Sequence, residues 1–215
     1  MKATDRVGIL GGTFDPIHNG HLAIGQLAQS VCDLSHVLVV PSGTPPHRPS
    51  GPSASADDRL AMARLAAEPL GWQVSDMELR RTGRTYTADT LDALRATAPA
   101  TAFFFILGAD AFAAIASWHR FPEVLDLAHF VVMARPGHPV DLMDVQLPQL
   151  ARRMIRCGAD ARLAVPDTPA VIMVTATTPN VSSSAIRRLA SEGVSLAGLV
   201  PDSVARYIAD HRLYE

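Results

Sequence analysis

Short apolar runs alternate with segments of helical periodicity along most of this chain, and this alternation constrains its fold more than any other feature. The first apolar run, residues 6–10, ends at a pair of glycines, as a buried parallel strand would, and residues 19–33 then place apolar side chains at helical spacing. Strands that alternate with helices build an open parallel sheet with right-handed connections. The sequence therefore predicts an α/β, Rossmann-like fold, with helices on both faces of the sheet.

The same patterns predict the further elements. Strands are expected at residues 36–40, 73–79, 101–107, 130–133 and 171–174. Helices are expected at residues 57–67, 88–96, 110–126, 183–191 and 202–211. Residues 137–169 give no clear pattern. Residues 41–56 are rich in Pro, Ser and Gly, which is typical of a lid, a binding loop or a disordered segment. Without a repeat or a linker, we expect a single domain over residues 1–215, with a helical portion at about 182–215 packed on it.

Composition and charge exclude several function classes. The chain has 215 residues, of which 48% are hydrophobic and 19% charged, so it can bury a substantial core. Its net charge of −2 argues against a broad electrostatic surface for nucleic acid or an anionic membrane. Lys2 is the only lysine, which removes mechanisms that need a buried lysine, such as a Walker loop or a pyridoxal Schiff base.

The spacing of the cysteines and the length of the longest apolar stretch indicate where in the cell the protein is expected. Cys32 and Cys157 lie far apart in the sequence, a spacing that fits neither a disulfide framework nor a zinc cluster. The first residues do not have the shape of a signal peptide, and residues 101–109 are too few to cross a bilayer. We therefore expect a soluble, cytoplasmic protein with no membrane partner.

The strongest functional signal is GGTFDPIHNGH, residues 11–21, between the first strand and the first helix. The two glycines let the backbone approach a ligand closely, and N–H groups at a helix start favour phosphate. His18 and His21 are three residues apart, so both can face one side of the helix. Two imidazoles there can donate hydrogen bonds to oxygens that gain charge during phosphoryl transfer. The alternative is an ordinary tight turn with two polar residues at a helix start.

GGTFDPIHNGHL resembles the signature of the adenylyltransferases with an H-x-G-H motif, in particular the bacterial nicotinate-mononucleotide adenylyltransferases. The resemblance implies an α/β fold of the nucleotidyltransferase type that joins nicotinate mononucleotide to the AMP of ATP in NAD biosynthesis. The products would be nicotinate adenine dinucleotide and pyrophosphate. It implies that His18 and His21 are catalytic, and it places ATP against the turn formed by Gly11, Gly12, Thr13 and Phe14.

Two further segments resemble parts of this family that contact the mononucleotide. Pro45-Pro46-His47-Arg48 resembles a P-P-H-K/R loop, which implies that His47 and Arg48 contact the mononucleotide phosphate. TYTADTL, residues 85–91, resembles S/T-Y-T-x-D-T-L, which implies that Thr85 lies at the nicotinate end. Read without the resemblance, the prolines indicate a rigid surface loop, and Thr87 is a suitable residue to cap a helix.

Other residues match the family's pattern with departures. Trp118 and His119 occupy the place of an aromatic pair that holds the pyridine, although His119 departs from the usual Tyr, Lys or Gln; a core aromatic is the alternative for Trp118. Arg135 begins an R-P-G turn, where Ala134 departs from the usual preceding residue. Arg59 follows Asp58 as at the family's helix start, and a surface arginine fits equally well.

Two strand or helix termini are further candidates for binding ATP. Gly108 and Asp110 match a G-x-D segment after a central strand, where an acid can accept ribose hydroxyls. Residues 181–187, VSSSAIR, resemble I-S-S-T-x-I-R, and serines at a helix start with an arginine one turn on form a phosphate cradle. Ser184 and Arg187 would bind the β- and γ-phosphates. The alternative is an ordinary serine-capped helix.

The reaction expected from this reading is a direct in-line displacement on ATP. No cluster of carboxylates suggests a metal site built by the protein, so Mg²⁺ is expected to arrive with ATP. Nicotinamide mononucleotide and phosphopantetheine remain alternative acceptors. A nucleotide sensor without catalysis is a more distant alternative, which would be expected to lose one of the two histidines. The sequence leaves open whether the chain forms a homo-oligomer.

Overall fold

Seven strands form one sheet in the computed structural model, which describes residues 5–44, 51–134, 140 and 146–215. The strands are β1 (Arg6–Gly12), β2 (His36–Pro41), β3 (Gln73–Val74), β4 (Ala102–Gly108), β5 (His129–Met133), β6 (Met154–Gly158) and β7 (Val171–Thr175). Their order is β3-β2-β1-β4-β5-β7-β6. The pairs β1–β4, β2–β3, β4–β5, β5–β7 and β6–β7 are all parallel. The α/β parallel-sheet fold expected from the sequence is confirmed.

Helices connect these strands, and six α-helices lie in the described part of the chain. They are α1 (Asn19–Cys32), α2 (Ala56–Ala67), α3 (Thr87–Thr97), α4 (Ala109–Ala113), α5 (Ser183–Ser191) and α6 (Asp202–Asp210). Shorter 3-10 helices span Glu68–Leu70, Ile115–Ser117, Glu123–Asp126 and Pro148–Arg153. Among the described helices, none combines the length and the apolar character that a bilayer crossing requires.

Two predicted elements differ from the structure, and one strand was not predicted. The helix expected at residues 110–126 is wrong: α4 ends at Ala113 and two 3-10 helices follow. Pro122 lacks an N–H and its ring disfavours a helical residue before it, so a continuous helix does not pass through this position. The strand expected at 73–79 ends at Val74, after which the chain turns. Strand β6 lies within the region without a clear pattern, and its residues are only half-buried or exposed because β6 is the last strand of the sheet.

The chain packs as two compact units that interleave along the sequence. Unit I comprises Met1–Leu10, Ile24–Val37 and Tyr86–Thr178, and unit II comprises Gly11–Ala23, Leu38–Thr85 and Pro179–Glu215. In unit I, the rings of Phe104, Phe112 and Phe130 are fully buried.

In unit II, α2 packs against α6, where Ser203 Oγ donates to the carbonyl of Leu65 over 3.2 Å. Unit II contains both the Gly-Gly motif and residues 182–187. A single domain over residues 1–215 stays a prediction.

Candidate active site

The turn after β1 is tightly packed around one aromatic ring. Phe14 has a positive φ of 51°, which an L-residue rarely adopts, and its side chain is only 1% exposed. A Cβ on Gly12 would lie 2.8 Å from this ring, so glycine is required there. The ring meets the imidazole of His21 edge-on, with the centroids 5.0 Å apart. Phe14 therefore packs against the His21 ring. Its expected contact with ATP stays a prediction.

The two histidines of the motif hold each other in place. Their rings stack with the centroids 3.6 Å apart and an interplanar angle of 19°. The backbone N–H of His18 donates to Nδ1 of His21 over 3.2 Å, and the backbone N–H of His21 donates to Nδ1 of His18 over 3.3 Å. His18 is 2% exposed, and His21 is half-buried in the first turn of α1.

These reciprocal bonds fix what the rings can offer to a ligand. A backbone N–H can only donate, so Nδ1 of each ring is the acceptor and carries no proton. In a neutral imidazole the proton then resides on Nε2, which makes Nε2–H a hydrogen-bond donor. The arrangement can therefore offer two N–H donors from one helix start, and donors fixed in advance are what stabilises a developing oxyanion.

A buried arginine fastens the same turn to the end of β2. Arg59 is 2% exposed, and its Nη1 donates to the carbonyls of Thr13 and Ser42, both over 2.7 Å. The N–H of Ser42 donates in turn to the carbonyl of Gly12 over 2.8 Å. The reading of Arg59 as a surface arginine is wrong, since its guanidinium satisfies two backbone carbonyls inside unit II.

The serine-rich start of α5 lies against the histidine motif, as expected for a second phosphate cradle. Ser182 caps the helix by accepting from the N–H of Ala185 over 3.2 Å. Ser183 Oγ donates to the carbonyl of Pro16 over 3.0 Å. The Arg187 guanidinium donates to the carbonyl of Asp15 over 2.7 Å and lies 3.4 Å from Ser184 Oγ.

The structure thus places in unit II both predicted catalytic residues and most of the predicted ATP-binding residues. They are Gly11, Gly12, Thr13, Phe14, His18, His21, Ser184 and Arg187. Sequence reasoning missed Asp15, whose buried carboxylate accepts from the N–H groups of Ser53 and Ala54 over 2.8 and 3.0 Å. Its position between the glycines and the histidines of the motif was the available signal.

Among the described residues, four of the predicted ones belong to unit I. Gly108 precedes the first turn of α4, where Asp110 is exposed. The exposed ring of His119 lies 4.4 Å from that of Tyr86. Trp118 is half-buried, and its ring meets Phe105 at 6.0 Å. Trp118 therefore packs partly as a core aromatic would. Its contact with a ligand stays a prediction.

Thr85 is the last residue of the unit II segment Leu38–Thr85, and its hydroxyl is buried. The residue is 5% exposed, and its N–H donates to the carbonyl of Thr44 over 3.2 Å. Its buried Oγ1 has no hydrogen-bond partner among the described residues, a costly arrangement for a polar atom. The predicted residues His47, Arg48 and Arg135 lie outside the described residues.

The described residues contain no group of three or more His, Cys, Asp or Glu side chains that could hold a metal ion. They therefore do not form a metal cage of their own. Mg²⁺ in nucleotide enzymes commonly keeps several waters and is bound through substrate phosphates.

A parallel α/β sheet, a Gly-Gly turn and two histidines at a helix start define a nucleotide-binding α/β protein. A family model described as cytidylyltransferase-like matches residues 9–189. A probable nicotinate-nucleotide adenylyltransferase of Geotalea uraniireducens is 41% identical over 211 residues, 97% of this chain and 98% of that protein. One of Symbiobacterium thermophilum is 40% identical over 210 residues, 97% of this chain and 95% of that protein.

A solved structure shares the fold. Plasmodium falciparum nicotinic acid mononucleotide adenylyltransferase, in complex with NaAD, matches with a TM-score of 0.74 and 18% identity, covering 98% of this chain and 97% of that one. The chain belongs to the cytidylyltransferase-like family and, within it, to the nicotinate-nucleotide adenylyltransferases. The family expected from the GGTFDPIHNGHL segment is thereby confirmed.

Proposed function

We propose that this chain transfers the AMP of ATP to nicotinate mononucleotide, giving nicotinate adenine dinucleotide and pyrophosphate, in NAD biosynthesis. The observation that carries the proposal is the reciprocal pairing of His18 and His21, which orients two Nε2–H donors at the start of α1. Membership of the family supports the choice of reaction and substrate.

The reaction is an in-line displacement at the α-phosphorus of ATP. An oxygen of the mononucleotide 5′-phosphate forms a new P–O bond, and the bond from the α-phosphorus to the oxygen bridging to the β-phosphorus breaks. That oxygen leaves with its electron pair as part of pyrophosphate. The attacking phosphate is already an anion near pH 7, so the protein needs no general base and acts by positioning and charge stabilisation.

The two histidines would stabilise the oxygens that gain charge during the transfer. Their Nε2–H groups are fixed before the reaction, because each Nδ1 is occupied by a backbone N–H. Donors oriented in advance need no reorganisation in the transition state, which makes them effective. Gly11, Gly12 and Thr13 would let the triphosphate approach the backbone closely.

Arg187 and Ser184 would bind the β- and γ-phosphates, from which the leaving pyrophosphate forms. The start of α5 adds the favourable helix dipole for an anion, and guanidinium groups pair strongly with phosphate. Asp110 would accept a ribose hydroxyl. Thr85, Trp118 and His119 would hold the pyridine end.

His47, Arg48 and Arg135 would contact the acceptor phosphate. These assignments come from the motif resemblance. Mg²⁺ would arrive with ATP and neutralise part of the phosphate charge, and the reaction would take place in the cytoplasm.

The experiment that tests this proposal is pyrophosphate release from Mg-ATP with three acceptors, accompanied by chromatographic identification of the dinucleotide. Turnover with nicotinate mononucleotide well above that with nicotinamide mononucleotide or phosphopantetheine is the expected result. Preference for another acceptor would refute the substrate, and release with none of them would favour a nucleotide sensor.

A further inference from the structure

A buried carboxylate joins the histidine motif to the segment after the last helix. The Asp15 side chain is 1% exposed, and the hydroxyl of Tyr214 donates to its Oδ1 over 3.0 Å. Two further donors, the N–H groups of Ser53 and Ala54, reach the same carboxylate. A carboxylate that has lost its water needs such donors, and together they fix the plane of its two oxygens.

The guanidinium of Arg187 depends on this carboxylate. Its Nη1 donates to the backbone carbonyl of Asp15 and lies 3.6 Å from Oδ2 of the same residue. The Arg187 side chain is 23% exposed, so part of the guanidinium faces solvent beside Ser184. A rotation of the Asp15 carboxylate would therefore move the electrostatic partner that holds this guanidinium.

Tyr214 is itself held in an uncommon backbone conformation. Its φ is +71°, and Arg212, two residues earlier, has a φ of +49°. Such conformations persist where the surroundings fix them, and they concentrate at functional positions. The hydroxyl is also in the right protonation state, because burial and the negative charge of Asp15 raise the pKa of Tyr214. It therefore remains a donor throughout the neutral range.

We propose that Tyr214 is a positioning residue for ATP: its hydroxyl fixes the Asp15 carboxylate and, through it, the guanidinium of Arg187. The inference rests on the proposed function, from which it takes the role of Arg187 at the β- and γ-phosphates. Without the hydroxyl, Oδ1 of Asp15 loses one of its donors, so the carboxylate that faces the guanidinium is held less firmly. ATP then binds less well, whereas the acceptor site is unaffected.

The test compares Tyr214→Phe with Tyr207→Phe. Tyr207 is a matched control, since its hydroxyl also donates to a carboxylate, Asp58 Oδ1, over 3.0 Å. Tyr214→Phe is expected to raise both the KM for ATP and the Kd for a non-hydrolysable ATP analogue about tenfold, because small misplacements of binding groups have large effects. The KM for nicotinate mononucleotide should stay within about twofold in both variants, as should all constants of Tyr207→Phe.

A double-mutant cycle with Arg187→Lys shows whether Tyr214 acts through Arg187. If it does, adding Tyr214→Phe to Arg187→Lys weakens ATP binding by much less than about tenfold, since the partner is already altered. A full additional loss, an unchanged affinity in Tyr214→Phe alone, or a Tyr214→Phe chain that does not fold would overturn the inference. Analogue binding needs no acceptor, so wild-type protein that binds ATP without turnover would count against the proposed function alone.

Discussion

Single buried polar residues keep the turn after β1 in its shape. Arg59 donates to the carbonyls of Thr13 and Ser42. The carboxylate of Asp15 accepts from the N–H groups of Ser53 and Ala54. A buried backbone N–H or C=O group without a partner costs free energy, so Arg59, which pairs carbonyls, and Asp15, which pairs N–H groups, both stabilise the turn. The histidines can be held rigidly because the backbone around them is fastened in this way.

Arg59→Met should lower the free energy of unfolding by about 2–4 kcal/mol, because it leaves two buried carbonyls without their donor. Arg64→Met is the matched control, since Arg64 is exposed on the same helix, α2, and its replacement should change stability by about 0.5 kcal/mol or less. Urea unfolding of both variants measures the difference. Equal stability of the two variants would show that the Arg59 contacts contribute little.

The N-terminal cap of α5 holds a helix that contributes to the candidate site. Ser182 caps α5, which brings Ser184 and Arg187 to the histidine motif. Replacing Ser182 with Ala should therefore reduce stability by about 1 kcal/mol. Ser191→Ala, at the other end of α5, provides the comparison and should have a smaller effect. Thermal unfolding distinguishes them, and a loss confined to Ser191→Ala would contradict the capping role.

Strand β5 contains a buried histidine that makes stability depend on pH. Burial, and then the positive charge of Arg6, holds the pKa of His129 below its usual 6.5, while Nδ1 accepts from the N–H of Ala170. Between the lowered pKa and about 6.5, His129 is therefore protonated in the unfolded chain but not in the folded chain. This contribution is complete above about pH 6.5 and is lost as the pH falls toward the lowered pKa.

His129→Gln should weaken this pH dependence, because the amide keeps an acceptor but does not titrate. The measurement is the free energy of unfolding of both proteins at pH 7.5, 6.5 and 5.5. Wild type should lose more stability than the variant between pH 7.5 and 5.5. Parallel curves would mean that His129 is protonated equally in the folded and unfolded chains.

Across the whole molecule, the elements that the sequence predicts best are those that are buried along most of their length, because such elements appear as continuous apolar runs. Strand β4 is buried along most of its length, so it stands out as an apolar run. Strand β6 is the last in the sheet and mostly half-buried or exposed, which leaves no such pattern. The interrupted region after α4 depends on Pro122 and on local turns that a helical period does not reveal.

The candidate site divides in the same way. His18 and His21 are recognisable because they share one short segment with the glycines. The bond from Tyr214 to Asp15 joins residues 199 positions apart. Asp15 lies inside the motif, but nothing in the sequence near either residue predicts that the two meet. Contacts of this kind follow from the fold and become visible only once the helices of unit II are in place.

If His18 and His21 act as one unit in the transfer, a double-mutant cycle on turnover will show it. Each single alanine variant should lower kcat about 10²–10³-fold, the usual effect of losing a preorganised donor. The double variant should be little worse than the poorer single variant, because the two rings stack with their centroids 3.6 Å apart and each loses its stacking partner in either single variant. Losses that multiply, or a kcat that survives either single change, would contradict the account.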